Sequence, residues 1–213
     1  MKIIYQAQKE YPEKLNSIYS SPAKLYLVGE EVILNKPSIA IIGCRDASDY
    51  GKKMAFNFAY ELAKEGFVIV SGLARGIDTY AHLGAVKANG KTVAVLGSGL
   101  EHIYPAENKE LCNEIIKKGG AIITEYEPHI KPLSMNFPSR NRIISGLSCG
   151  VLVVEAKQKS GTLITVDHAL EQGKDVFVIP GNITSVNSCG TNELIKQGAK
   201  LVTNIQEIIE EIT

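Results

Sequence analysis

Short, nearly unbroken apolar runs bounded by glycine recur along the chain, each separated from the next by enough residues for one helix. They cover residues 38–43, 67–71, 92–97, 121–124, 151–155, 175–179 and 199–202. A strand with one wet face alternates apolar and polar residues, whereas a strand covered on both faces does not. The runs therefore predict a parallel sheet. The segments between them have helical spacing. Ser48 can cap a helix that carries Met54, Phe58 and Leu62 at i, i+4 and i+8 and stops at Gly66. Residues 162–172 and 205–212 repeat that spacing.

Strand and helix alternating about seven times predict an α/β fold, a doubly wound, mostly parallel sheet of about seven strands with right-handed crossovers. Ligands of such sheets sit beyond the carboxyl ends of the strands, where the strand order reverses. Residues 1–36 differ, with a polar start, Pro12 and Pro22. They read as a short N-terminal appendage packed on the core of residues 37–213, with a small hairpin over residues 25–32 turning at Gly29-Glu30.

Composition narrows the class. With 213 residues, 45% apolar and 22% charged, the chain has the proportions of an ordinary globular domain. Folding at this length buries about 70% of the unfolded surface, so no metal or disulfide staple is needed. Cys44, Cys112, Cys149 and Cys189 lie far apart with no C-x-x-C pair, which predicts free thiols. His82, His102, His129 and His168 are scattered, and no metal or cofactor is expected. No apolar run approaches the roughly 18 residues of a membrane span, and the first residues lead straight into polar sequence. A cytoplasmic chain without a membrane partner is expected. Lys plus Arg is 23 and Asp plus Glu is 23, which argues against binding by bulk positive potential.

The distribution of charge says more than its sum. The chain has only four arginines: Arg45 follows the first run, Arg75 follows the second, and Arg140 and Arg142 lie between the fourth and fifth. The adjoining loops read Gly43-Cys44-Arg45, Ser71-Gly72-Leu73-Ala74-Arg75, Gly97-Ser98-Gly99 and Ser160-Gly161-Thr162. Glycine lets backbone N–H groups approach an anion, helix N-termini favour negative charge, and arginine grips phosphate in a fork. The set predicts a phosphate-binding edge. The stretch from Pro128 to Val154 lacks any acid yet holds His129, Lys131, Arg140 and Arg142, with Phe137-Pro138 beside the arginines. Cations around an aromatic suit single-stranded nucleic acid; the other reading of Phe137 is a core residue anchoring a loop.

Other motifs fail on context. Residues 84–92 resemble a phosphate-binding Walker loop but have one residue too many and lead from helix to strand. Gly97-Ser98-Gly99 lacks the third glycine of a dinucleotide fingerprint, because position 102 is His.

Taken in order, Gly43-Cys44-Arg45, Ser48-x-Tyr50-Gly51, Ser71 to Asp78, Gly97-Ser98-Gly99-Leu100 with Tyr104-Pro105, Phe137 to Ser148, Val153-Val154-Glu155-Ala156, Ser160 to Leu163 and Pro180-Gly181 closely resemble the DNA-processing protein A (DprA, or Smf) family. The resemblance covers nearly the whole chain. It implies an extended Rossmann-like domain, without the accessory domains many members carry, that binds and protects incoming single-stranded DNA in natural transformation. It also implies a non-catalytic role, loading of the RecA recombinase, and a homodimer. By the same resemblance Gly43 to Arg45 and Phe137 to Arg142, Asn141 included, line the strand site. Arg45 and Arg142 hold phosphates, Phe137 meets a base, and Ser160, Gly161 and Thr162 add donors. Cys44 departs from the usual serine and removes a hydroxyl donor.

Two rivals stand beside this. Related Rossmann-like phosphoribohydrolases carry P-G-G-x-G-T-x-x-E, and here Thr165 stands at the place of that catalytic glutamate. A sensor of a small nucleotide would use the same loops. For assembly, Ile205, Ile208, Ile209 and Ile212 share a helix face that either covers the chain's own sheet or meets a second copy.

Overall fold

All seven apolar runs are strands of one sheet. The computed structural model describes residues 1–212. The elements in chain order are β1 (Lys2–Tyr5), α1 (Glu13–Asn16), β2 (Lys24–Gly29), β3 (Ser38–Gly43), α2 (Asp49–Lys64), β4 (Val68–Ser71), α3 (Ile77–Lys87) and β5 (Thr92–Val95). There follow α4 (Lys109–Lys117), β6 (Ala121–Thr124), α5 (Asn136–Leu147), β7 (Gly150–Glu155), α6 (Gly161–Glu171), β8 (Asp175–Val178), α7 (Cys189–Lys196), β9 (Lys200–Leu201) and α8 (Gln206–Ile212).

Among the described residues the sheet has the order β1-β2-β6-β5-β4-β3-β7-β8-β9. From β6 to β9 every pairing is parallel. The order runs outward from β3 to β6, then reverses through β7 to β9, so the switch point lies between β3 and β7. That is where the strand pattern puts a ligand site.

The N-terminal residues depart from expectation. Residues 24–29 are a single strand, antiparallel to β1 on one side and to β6 on the other, and the predicted hairpin at Gly29-Glu30 does not form. With partners on both sides, β2 needs no returning strand. The chain instead turns at Gly29, whose φ is +106°, and buries Ile33 and Leu34 in a 3-10 turn. Two strands are thus added to the expected seven.

Continuous apolar runs fill two layers. On one face Ile39 and Ile41 pack with Phe58, Leu62, Ile77 and Ile208; on the other Ala40 and Ile42 pack with Ile143, Leu147 and Val166. Burial of each such large side chain is worth about 1.5–3 kcal/mol. The Ser48 hydroxyl caps α2 by accepting from Gly51 N at 3.1 Å, and Gly66 ends the turn with φ +90°. Ile205 and Ile208 are buried in the core, and Ile209 and Ile212 pack against the same cluster, so the apolar face of α8 covers the chain's own sheet. The four cysteines are unbridged. Among the described residues no helix is long and apolar enough to cross a membrane.

Candidate nucleic-acid interface

The turns after β3 and β7 face α5 across the switch point and wall a cleft of about 650 Å³. Gly43 starts the first turn, and a Cβ there would lie 2.6 Å from Ile77 Cγ1 and 2.9 Å from Glu155 O. The absent side chain lets the turn be clamped. Cys44 N donates to Glu155 O at 2.9 Å and Ile77 N donates to Cys44 O at 3.1 Å. Cys44 is thereby buried, and burial raises its thiol pKa, so it is a wall and not an anion. Arg45 follows on the exposed side.

Within the acid-free stretch, Asn136–Leu147 is a helix, so Phe137 and the arginines stand on α5 and not on a loop. Phe137, Arg140, Asn141 and Ile144 stand at i, i+3, i+4 and i+7 of α5 and all line the cleft. The Arg45 guanidinium carbon is 5.3 Å from the Phe137 ring centroid, and the Tyr104 ring centroid is 5.6 Å away at 53°. Behind the ring is Gly97, where a Cβ would sit 2.8 Å from the ring. Phe137 is therefore a half-buried platform at the cleft mouth, not a core anchor.

The four arginines do not act alike, which corrects the expectation of four cations on one phosphate edge. Arg140 is 3% exposed; its Nη1 donates to Gly72 O at 2.8 Å and to Val95 O. Its charge also faces Asp78, whose carboxylate accepts from Gly72 N at 3.1 Å and Ala74 N at 3.3 Å. Burial lowers the Arg140 pKa to about 10, which leaves it cationic at neutral pH, while burial raises that of Asp78 against the pull of Arg140. Arg140 is thus a tie beneath the cleft. Arg142 is outside the cleft: Nη1 and Nη2 grip Glu125 at 2.6 and 2.7 Å, and Nε donates to Ser20 O at 2.9 Å. Residues two apart on a helix diverge by about 200°, so both arginines cannot face one ligand. Arg75 forms an exposed fork with Glu107 at 2.8 and 2.9 Å, also away from the cleft.

Ser160, Gly161 and Thr162 line the opposite wall at the start of α6, where backbone N–H groups lack helical partners. The Ser160 hydroxyl is buried without a partner, and the space above Gly161 is open. Ser71, Gly72, Gly97 and Gly99 are not in the lining. Ser71 Oγ donates to Ile41 O at 2.7 Å, a Cβ on Gly72 would meet the Arg140 guanidinium, and Gly99 N donates to Ile130 O at 2.8 Å. These residues are engaged in contacts behind the cleft lining. Lys157, paired with Asp46 at 3.3 Å, is a cleft cation that the sequence pattern left unnoticed, although it stands two residues past the β7 run.

The chain matches the model of a family described as DNA recombination-mediator protein A over residues 2–213. It belongs to that family. It is 44% identical to the DNA processing protein DprA of Bacillus subtilis over 97% of its own length and 69% of that protein's. Its structure superposes on DNA processing protein A from Streptococcus pneumoniae with a TM-score of 0.92 and 44% identity, covering 99% of this chain and 74% of that one. The Helicobacter pylori protein, which has a described single-stranded DNA binding mode, matches with a TM-score of 0.88 and 34% identity over 100% of this chain and 96% of its own. Family membership thus agrees with a doubly wound Rossmann-like sheet whose cleft lies at the switch point.

Proposed function

We propose that the cleft binds single-stranded DNA without catalysis, that the bound strand is passed to the RecA recombinase, and that the protein does so as a homodimer in the cytoplasm during DNA uptake. The observation that carries the reading is the Arg45–Phe137 pair at the cleft mouth. A cation and a base-sized ring side by side suit one phosphate and one unstacked base. The α6 N-terminus and Ser160 add donors for the backbone of the strand, and Lys157 adds a second charge. The H. pylori relative's single-stranded DNA binding and the family's description as a recombination mediator support the substrate and the hand-over.

The enzyme alternative lacks a proton-transfer group. Thr165 lines the cleft where the phosphoribohydrolase glutamate would act, Asp78 is tied to backbone amides and Asp46 is paired with Lys157. Since α8 is spent on the core, a dimer needs another surface; the exposed Leu201 on β9, the last strand of the sheet, supports that edge.

Fluorescence anisotropy with labelled single- and double-stranded oligonucleotides at several salt concentrations tests the reading. Arg45 and Lys157 offer about two phosphate contacts, so the log-log salt slope should lie between about −0.7 and −1.4 per protomer. Equal affinity for both forms sinks the proposal. Free base released from nucleoside monophosphates would restore the enzyme.

A further inference from the structure

Beside the cleft lies a second pocket, of about 390 Å³, lined by Ser48, Tyr50, Glu155, Gly181 and Ser188 among others. It gathers the motif residues that the cleft leaves unused. Two glycines build its base: a Cβ on Gly51 would collide with the Glu155 carboxylate, and one on Gly181 would take the place of the Ser188 hydroxyl.

The chemistry of the pocket excludes an anion and favours a donor. Glu155 is 2% exposed, and its carboxylate already occupies the N-terminus of α2, accepting from Ser48 N at 3.0 Å, from Ser48 Oγ, and from Asn187 Nδ2 at 3.3 Å. A phosphate would meet that charge head-on. A carboxylate offers about four acceptor positions, so one remains. Ser188 is 3% exposed, and its hydroxyl lies close against Gly181. Above these, Tyr50 presents its ring 47% exposed, tethered by its hydroxyl donating to Pro180 O at 3.0 Å. The neighbouring loop leaves Ile183 88% and Val186 68% exposed. An aromatic shelf with an apolar rim and a buried acceptor suits a flat heterocycle that carries an N–H donor.

Continuity with the cleft identifies whose heterocycle it is. Asp46 and Lys157 line the cleft, whereas Ser48 and Glu155, two residues from each, line the pocket. Asn187 bridges the two, donating to Asp46 O at 2.9 Å as well as to Glu155. We propose that this pocket receives an amino-bearing nucleobase of the strand held in the cleft, its exocyclic amino group donating to Glu155 and its ring laid against Tyr50. Carboxylate acceptance from the cytosine amino group is an established pairing. The proposal rests on the cleft's reading as a single-stranded DNA site.

Anisotropy titrations with oligodeoxycytidine and oligothymidine of equal length test it, since cytosine presents its 4-amino donor where thymine presents a carbonyl oxygen that a carboxylate repels. The wild-type protein should bind oligodeoxycytidine about fivefold to tenfold more tightly. Glu155→Gln and Tyr50→Ala should each bring its affinity down to that for oligothymidine. Tyr50 is exposed and makes one hydrogen bond, so its variant decides the matter even where Glu155→Gln fails to fold. Equal binding of both oligomers by the wild type, or a preference that survives Tyr50→Ala, overturns the second pocket and leaves the cleft standing. Binding of neither oligomer overturns the cleft, and the pocket with it.

Discussion

The Arg45 guanidinium lies over the ring of Phe137, 5.3 Å from its centroid, at the entrance of the cleft. An exposed contact of this kind is worth about 0.5–1 kcal/mol, less than the roughly 1–3 kcal/mol of a base stacked on an aromatic. An incoming base therefore wins the ring, and the guanidinium is released toward phosphate. The two residues should separate experimentally. Phe137→Ala should weaken single-stranded DNA binding by about 1–3 kcal/mol with no change in salt slope. Arg45→Ala should weaken it at every sequence and reduce the slope by about 0.7. Titrations across salt measure both, and a flattened slope in Phe137→Ala would contradict the division of labour.

Gly97 controls the position of that ring. A Cβ at this position would be 2.8 Å from Phe137, closer than carbon atoms pack, so the ring must shift away from Gly97. Gly97→Ala should leave thermal stability nearly unchanged, since a half-buried ring can yield, while lowering DNA affinity by about 1 kcal/mol through the misplaced shelf. Comparison of melting temperature with oligonucleotide affinity checks it; a large fall in melting temperature with intact binding would reassign Gly97 to the core.

Arg140 should behave as a structural tie. Its removal strands the Asp78 carboxylate in the interior and frees the carbonyls of Gly72 and Val95. Breaking one side of a buried charge pair costs about 3–5 kcal/mol. Arg140→Ala should lose that much in urea denaturation, and Arg140→Lys should recover little of it, because an ammonium is more strongly hydrated than a guanidinium and costs more to bury. Full stability with weakened DNA binding would instead make Arg140 a direct phosphate ligand.

Much of this was legible in the residues. Unbroken runs such as Ile39 to Ile42 announce strands covered on both faces and mark the loops after them, Gly43 to Arg45 included, as ligand candidates, whereas the strand order that puts the switch point beside Gly43 to Arg45 is visible only in the fold. The antiparallel edge escaped because β1 and β2 are separated by Pro12, Pro22 and a short helix, so their pairing is long-range. The arginines misled for a different reason. Arg140 and Arg142 read alike in a glycine- and proline-rich stretch, but the helix from Asn136 sends them to opposite sides, and Glu125 and Glu107, distant in sequence, neutralise Arg142 and Arg75. Partners of a charge are set by topology, which local pattern does not carry. The i, i+3, i+4, i+7 spacing from Phe137 to Ile144 was the available signal for the helix.

His82 makes acid sensitivity a property of the core. The imidazole is fully buried, its Nδ1 lies 2.7 Å from Thr92 Oγ1, and Nε2 has no partner. Thr92 Oγ1 donates to Ile69 O, so it accepts from His82, and the ring is neutral with its proton on Nδ1. Burial, assisted by the nearby charge of Arg140, lowers the His82 pKa from 6.5 to about 3. A depressed folded-state pKa means that the unfolded chain binds the extra proton first. The neutral ring's contribution is fully present above pH 6.5 and is lost as pH falls from 6.5 toward 3. The loss runs at about 1.4 kcal/mol per pH unit, or roughly 2 kcal/mol by pH 5. Urea midpoints of the wild type and His82→Leu between about pH 7.5 and about pH 5, on either side of the free-histidine pKa, measure it. The variant starts less stable but should close the gap by about 2 kcal/mol on acidification; a constant gap would mean that His82 does not set the acid limit.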